Sequence, residues 1–515
     1  MKVAMEIADN MPVLVGAGQL TSRLAPAEAP TPLMMIIEAA RRAAHDTGVD
    51  AAALLARVDT IANTRLVIDS PEVGSFGMGH YRNLPASVAA ALGATLRAGY
   101  YCGMGGDSPQ MLANEMAERI AQGESDVVLL AGAENMATLL SAVKTGVKLD
   151  WTDAANSDPS AIGTMKPGCN EHESQYGFFL PINTYPLFEN ALRAQAGRSI
   201  DAHRHCLGKL FAPLSQVAAR NPYAWFPVAR TAEEIATVSP QNRMIGFPYT
   251  KYMNAVIQVD MSAAVLMMSA GTARTLGVDR SRWVFLNGCA QASDHWHITE
   301  RRDFVSSPAL KRCGEEALRM AGLAIADMTC FDIYSCFPSA VQIACHELGI
   351  ALDDARGLTL TGGLPYFGGP GNNYVMHAIA EMMHRLREQP GTHGLLNANG
   401  WHVTKHAVGI YSTTSLHEQW QRVAPSTYQR ELDAVPKPAF TEVANGSARI
   451  ETYTVTHTAA GPAQGIVIGR LADAVRFLAN TPDDRAMLEE LMRSEGVGRE
   501  GTVTHENGKN IFRLG

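Results

Sequence analysis

YCGMGGDSPQ, residues 101–110, passes into a run of small and apolar residues over 109–121 and then, after Gly123, into DVVLLA at 126–131. Gly103, Gly105 and Gly106 allow a tight turn after an apolar segment, and Pro109 sits where a first helical turn tolerates it. Strand, glycine-rich turn, helix, strand is the order of a parallel α/β layer, because parallel strands need a crossover long enough to hold a helix.

The same order extends both ways. Upstream, PVLVG at 12–16 predicts a strand. A helix follows, capped by Thr31, opened by Pro32, burying Leu33, Ile36, Ile37, Ala40 and Ala44 on one face and stopping at Gly48. A strand at 58–62 and a short helix at 85–92 complete the approach. Downstream, the period is lost between about 140 and 252, which predicts a long irregular insertion with a ligand-handling role, since connections inside compact domains are short. A strand over 256–268, with the polar Asp260-Met-Ser, closes the first half.

A second half then predicts a strand at 284–288, a helix at 307–321, a strand at 328–334, helices at 338–348 and 373–388, and strands at 395–399 and 407–412. The shared order points to a duplicated fold. Beyond it, Pro425, Pro436 and Pro438 predict a linker. The alternating ARIETYTVTH at 448–457, GIVIGRL at 465–471 and a hairpin turn at Asn507-Gly508 predict a small antiparallel barrel, with one helix near 483–494. The expected division is 1–274 with its insertion, 275–424, and 425–515.

At 515 residues, 46% hydrophobic and 18% charged, the chain has material for two or three packed units. A net charge of -8 offers no basic face for nucleic acid. Eight cysteines without CxxC spacing predict reduced thiols and no metal site. The acidic start, MKVAME, and the absence of a long apolar run predict a cytoplasmic protein with neither a leader nor a membrane span.

Taken together, PVLVGAGQ, GGDSPQ, DVVLLAGAENM, NAVIQVDMSAAVLMMSA, DIYSCF, GGLPYFGGPGNNY and NGWHVTKHAVGIYST fall in the order and spacing of the thiolase superfamily. Over about residues 12–413 the chain resembles its sterol-carrier-protein-type branch and the thiolase-like proteins with an added C-terminal OB-like domain. The resemblance implies a duplicated α/β thiolase fold of two mixed sheets with layered helices, plus a small OB-like β-barrel. It also implies a coenzyme A thioester as substrate, no covalently bound cofactor, and a monomer or homodimer.

Carried over residue by residue, the family motifs are altered. The nucleophilic cysteine column falls on Gly106, with Ser108 nearby and Cys102 four residues upstream as the only close thiol. The HDCF motif, whose His helps hold the thioester oxygen, becomes Tyr334-Ser335-Cys336-Phe337, and a tyrosine still donates a hydrogen bond to an oxyanion. The GHP motif, whose His activates the thiol, becomes Gly368-Gly369-Pro370, where glycines suit close approach to a ligand. The CxG motif falls near Asn397-Ala398-Asn399-Gly400, leaving His402 and His406 as candidate bases. In the insertion, Tyr249, Lys251 and Asn254 are candidates for lining an acyl pocket or meeting CoA phosphates. Phe178, Phe179, Tyr223, Trp225 and Phe226 point to a bulky apolar substrate.

Three functions follow from the resemblance. One is an acyl-CoA acyltransferase of the acetyl-CoA acetyltransferase kind, working without the standard Cys and His. Another is a retro-aldolase that cleaves a 3-hydroxyacyl-CoA with Tyr334 as acid and base. The third is a non-catalytic protein that binds or scaffolds CoA esters.

Overall fold

A computed structural model describes residues 7–70 and 77–515; the sequence reading of the first six residues lies outside that range. The first half contributes β1 (Pro12–Thr21), β2 (Thr60–Asn63), β3 (Ala98–Cys102), β4 (Val127–Asn135) and β5 (Ser160–Ile162). The short β6 (Met244–Gly246) and β7 (Tyr249–Thr250) and the long β8 (Asp260–Ser269) complete its strands. The second half contributes β9 (Val284–Ser293), β10 (Cys330–Asp332), β11 (His393–Gly400) and β12 (Lys405–Ser412).

The sheet order is β10-β11-β12-β9-β1-β8-β4-β2-β3-β5. It shows the duplication directly: β10-β11-β12-β9 repeats β2-β4-β8-β1, and the two copies meet edge to edge where Val13 pairs with Phe285 and Leu14 with Val284. Both copies use one packing device. A Cβ on Gly16 would strike the Ala43 carbonyl, and one on Gly288 the Ala317 carbonyl, so each glycine lets the outer helix of its half lie on the strand. Between the two halves, the helices Ser108–Ala121 and Tyr374–Glu388 pack on each other and on strands of both copies. The predicted Thr31 cap forms, accepting from Met34 N at 3.2 Å, and Pro32 opens the helix Pro32–Asp46.

Three expectations need correction. Residues 140–252 are not mainly irregular: they hold the helices Pro181–Gln195 and Ile200–Ala218, and shorter ones at Glu171–Gln175 and Ala232–Ala236. Their apolar period is masked because the buried faces include Glu189, Asn190, Arg193 and His203, and because Pro186 and Pro213 lie inside the helices. Second, Pro425 opens the helix Pro425–Asp433 instead of a linker, and Tyr428 buries its ring while its hydroxyl accepts from Gln291 N at 3.2 Å. Third, the strand expected over 328–334 stops at Asp332, so Tyr334 lies beyond it in a loop.

The C-terminal segment closes as a five-stranded barrel: β13 (Gly446–Thr458), β14 (Gly461–Leu471), β15 (Arg476–Asn480), β16 (Glu500–Glu506) and β17 (Lys509–Leu514). The helix Arg485–Arg493 lies against it, and β6 of the insertion extends β13 through Gly246 and Thr456. Asn507 and Gly508 both take positive φ, as a two-residue hairpin turn requires. Buried polar anchors fix the barrel to the rest. Arg476, wholly buried, pairs with Glu451 at 2.6 Å and donates to the Thr299 carbonyl at 2.9 Å. Arg193 in the insertion pairs with Glu495 at 2.6 Å.

Candidate active site

The turn from β3 into the helix Ser108–Ala121 is held at several points. Gly105 N donates to Asn372 Oδ1 at 2.8 Å, and Lys405 Nζ donates to the Met104 carbonyl at 2.6 Å. The turn therefore presents Gly106 to the second half of the molecule. A Cβ built on Gly106 would overlap the Tyr334 hydroxyl and lie 2.6 Å from the Asn399 carbonyl oxygen. The nucleophile column thus lacks a thiol and also lacks room for one.

Tyr334 is set by its backbone, whose N–H donates to Asn397 Oδ1 at 2.8 Å, and by an edge-to-face contact with Tyr374 at 5.6 Å. Asn397 accordingly shapes the loop. Among the described residues the Tyr334 hydroxyl has no hydrogen-bond partner, and burial, with smaller contributions from Cys336, Tyr374 and Asp107, pushes its pKa well above the ordinary tyrosine value. The resting group is a neutral phenol, a donor awaiting an acceptor.

Around it lie Cys336, Asn399 and Tyr185. Burial pushes the Cys336 thiol up to about 12, so it stays protonated and a poor nucleophile. Asn399 Nδ2 donates to Tyr185 Oη at 2.9 Å, Tyr185 donates to the Trp401 carbonyl at 2.7 Å, and the Tyr185 ring stacks on Phe337 at 4.3 Å. The insertion helix carrying Tyr185 therefore forms a wall of the site. Among the described residues Asn399 Oδ1 is buried without a partner. On the side of the GHP column, Ala255 N donates to the Cys336 carbonyl at 2.9 Å and Gly369 N to the Val256 carbonyl at 2.8 Å. A Cβ at Gly369 would meet nothing closer than 3.4 Å, so this column is open where Gly106 is blocked.

Several sequence candidates lie elsewhere. Cys102 is fully buried at the end of β3, its carbonyl taken by Arg65 Nε at 2.9 Å, and burial raises its thiol pKa. Ser108 turns its hydroxyl to the Gly103 carbonyl at 3.1 Å. His406 is corrected by strand alternation, which sends its ring to the outer side of β12, 3.0 Å from Ser307 Oγ. His402 is buried beside Tyr185, and burial lowers its pKa to about 4, leaving a weak base. Tyr249 is also corrected: its hydroxyl is sealed in the core between Glu189 Oε2 at 2.6 Å and Ser339 Oγ at 2.8 Å. Asn254 is tied to the Thr250 carbonyl at 2.6 Å, Lys251 is exposed, and Gly368 packs against Val259 and Trp225.

The residues beside Gly106 and Tyr334 that the sequence reading did not name are Lys405 and Asp107, an ion pair at 3.1 Å, together with Tyr185. The alternation of KHAVGIYS carried the signal for Lys405, since it shares a strand face with Gly409 and Tyr411. Among the described residues no group of three or more His, Cys, Asp or Glu side chains is placed to hold a metal, and no helix is long and apolar enough to cross a membrane.

Sheet order and site together define a thiolase fold, and comparisons with known proteins agree. Residues 290–413 match the thiolase C-terminal domain-like family, and residues 427–508 match the thiolase-like protein type 1 additional C-terminal domain. The crystal structure of a monomeric SCP2-thiolase like protein type 1 from Mycobacterium smegmatis is 39% identical, with a TM-score of 0.85 over 99% of this chain and 100% of that one. The chain belongs to the SCP2-thiolase-like protein type 1 family.

More distant relatives include the acetyl-CoA acetyltransferase of Methanothermobacter thermautotrophicus, 24% identical over 74% of this chain and 93% of the relative. The acetyl-CoA acetyltransferase of Methanocaldococcus jannaschii is 25% identical over 45% of this chain, and the match spans 51% of that protein's length. An Ltp2-ChsH2(DUF35) aldolase shares the fold at 18% identity, with a TM-score of 0.57 over 80% of this chain and all of that one.

Proposed function

We propose that this chain acts on a coenzyme A thioester, as the acyltransferases it resembles do, but without an acyl-cysteine. The proposed step makes or breaks the carbon–carbon bond next to the thioester through proton transfer at Tyr334. One observation carries the reading: the position of the nucleophile is a glycine whose side-chain space is filled by the Tyr334 hydroxyl. Acyl transfer of the ping-pong kind needs an activated thiolate. Both nearby thiols, Cys102 and Cys336, have pKa values raised by burial, and Gly369 stands where the activating imidazole would be.

The chemistry balances without a covalent intermediate. In the bond-forming direction, the thioester enolate attacks a ketone or aldehyde, its electron pair becomes the new C2–C3 bond, and Tyr334 gives its phenolic proton to the resulting C3 alkoxide. Cleavage is the reverse. Tyrosinate removes the C3 hydroxyl proton, C3 becomes a carbonyl, the C2–C3 pair passes into the thioester enolate, and the proton held by Tyr334 is delivered to C2, which regenerates the tyrosinate; in the bond-forming direction the tyrosinate first takes that C2 proton. Asn399, whose side-chain oxygen has no hydrogen-bond partner among the described residues, is assigned to meet the substrate beside Tyr334. The aldolase among the fold relatives is consistent with this reading. The monomeric state of the Mycobacterium smegmatis relative extends to this chain as part of the proposal.

Incubating the chain with a panel of 3-hydroxyacyl-CoA thioesters and assaying for a ketone or aldehyde tests it. Carbonyl release with no radioactive acyl group retained on the protein supports the proposal. A labelled cysteine assigns the chain to covalent acyl transfer instead. Binding of every panel member without turnover assigns it to CoA-ester binding.

A further inference from the structure

Lys405 and Asp107 are paired at 3.1 Å with side chains each only 7% exposed. Removing two charges from water costs several kcal/mol per ion, and apolar residues of similar volume often serve stability as well. A buried pair in this position therefore has a cause other than stability, and the geometry supplies one. Lys405 stands on the face of β12 turned toward the helix Ser108–Ala121, the face from which Tyr411 bonds Gln110 at 2.7 Å. From there its ammonium meets the Met104 carbonyl at 2.6 Å and the Asp107 carboxylate, which are the residues two before and one after Gly106.

The surrounding glycines fit the same arrangement. A Cβ on Gly105 would collide with both Lys405 and Asp107, one on Gly400 with Asp107, and one on Gly106 with Tyr334. Three neighbouring positions are thus kept free of side chains around one ion pair and one phenol. Behind the pair, a cleft of about 260 Å³ opens between Met111, Gly163 and Gln429 and reaches both Asp107 and Lys405. An ammonium on a flexible stem can hold a turn in this way only while its charge is matched, which Asp107 does.

We propose that Lys405, acting through Asp107 and the Met104 carbonyl, is the positioning residue that seats Gly106 against the Tyr334 hydroxyl. Its kinetic consequence rests on the Tyr334 reading above; its structural consequence does not. With Lys405 replaced, the turn at 103–107 loses both fixed points on β12 and Gly106 moves off the phenol.

The test compares Lys405→Met with the double variant Lys405→Met/Asp107→Asn, which leaves no orphaned charge, in protein labelled with carbon-13 at the tyrosine ring Cζ. The Tyr334 resonance is assigned by its loss in Tyr334→Phe. Lys405→Met is expected to melt lower because Asp107 is left unpaired, and the double variant is expected to regain most of that loss. In both, the Tyr334 resonance is expected to shift. Turnover of 3-hydroxyacyl-CoA is expected to fall about a hundredfold, the scale of a misplacement of about 1 Å, with KM little changed. A double variant that melts like the parent and keeps the parent Tyr334 resonance overturns the proposal. If the parent chain turns over no thioester at all, the aldol reading fails, while the resonance still decides the role of Lys405.

Discussion

The Tyr334 hydroxyl occupies the volume that any β-carbon at Gly106 would need, so the two positions, 228 residues apart in sequence, are complementary in shape. Family motifs place a cysteine at one column and a histidine at the other. Here the first column holds glycine and the second tyrosine, and the Tyr334 hydroxyl fills the room beside Gly106. In the function proposed above, the Tyr334 phenol serves as hydrogen-bond donor to an oxyanion, and no cysteine stands at position 106 to form a thioester with the protein.

Gly106→Cys is therefore expected to destabilise the chain, because inserting a side chain into a packed space costs about 1–3 kcal/mol. It is also expected to gain no acyl transfer, since Gly369 supplies no base. Calorimetry and acetyl-CoA labelling of the variant check both parts. An unchanged melting temperature together with an acyl adduct on Cys at 106 would show that the space is free.

Cleavage activity should rise with pH. The pKa of Tyr334 is raised by burial, so the tyrosinate needed for cleavage is a minor species whose population grows about tenfold per pH unit below that pKa. A plot of log kcat against pH is expected to climb with a slope near one through the neutral range. A plateau near pH 6.5 would instead point to a histidine base.

Stability should fall with pH through a different group. Burial pushes the Glu134 carboxyl from its ordinary value of 4.5 up to about 8. The native state therefore holds this proton more tightly than the unfolded chain, so stability is greatest below pH 4.5 as far as this group is concerned and is lost as pH rises toward 8. Glu134→Gln keeps an acceptor for Val67 N, which now bonds Glu134 at 2.8 Å. The variant is expected to melt above the parent at pH 8 and close to it at pH 5. Parallel melting curves across that range would remove Glu134 from the account.

Arg476→Met should loosen the barrel. The guanidinium, fully buried, is bound to Glu451 and to the carbonyls of Thr299, Arg301 and Arg302, and removing one partner of a buried pair costs about 3–5 kcal/mol. Earlier proteolytic release of residues after about 440, with a lowered melting temperature, is the expected result. Unchanged proteolysis would mean that the apolar contacts alone hold the barrel.

Much of the fold was legible because local signals and tertiary demands agree. The Thr31 cap with Pro32, the helix Pro338–Leu348 between proline and Gly349, and the Asn507-Gly508 turn all form where the sequence places them. The insertion was not legible. Its helices bury Glu189, which bonds both His203 Nε2 and the Tyr249 hydroxyl, and these polar groups blur the helical period. In the site, the motif columns pointed to Gly106, Tyr334 and Gly369, and the structure sets the Tyr334 hydroxyl against Gly106. Alternation along β12 puts Lys405 and His406 on opposite faces, and which of the two looks toward Gly106 depends on the pairing of β12 with β9 and β11, a long-range fact; His402 lies before that strand, in the turn from β11.

Carbonyl release from a 3-hydroxyacyl-CoA, measured side by side in the parent chain and in Tyr334→Phe, tests the central claim most directly. Phenylalanine keeps the ring and deletes only the proton-transferring oxygen. Release by the parent is expected, with a loss of at least about a hundredfold in the variant, the scale of a missing general acid–base. Equal rates in the two proteins would contradict it.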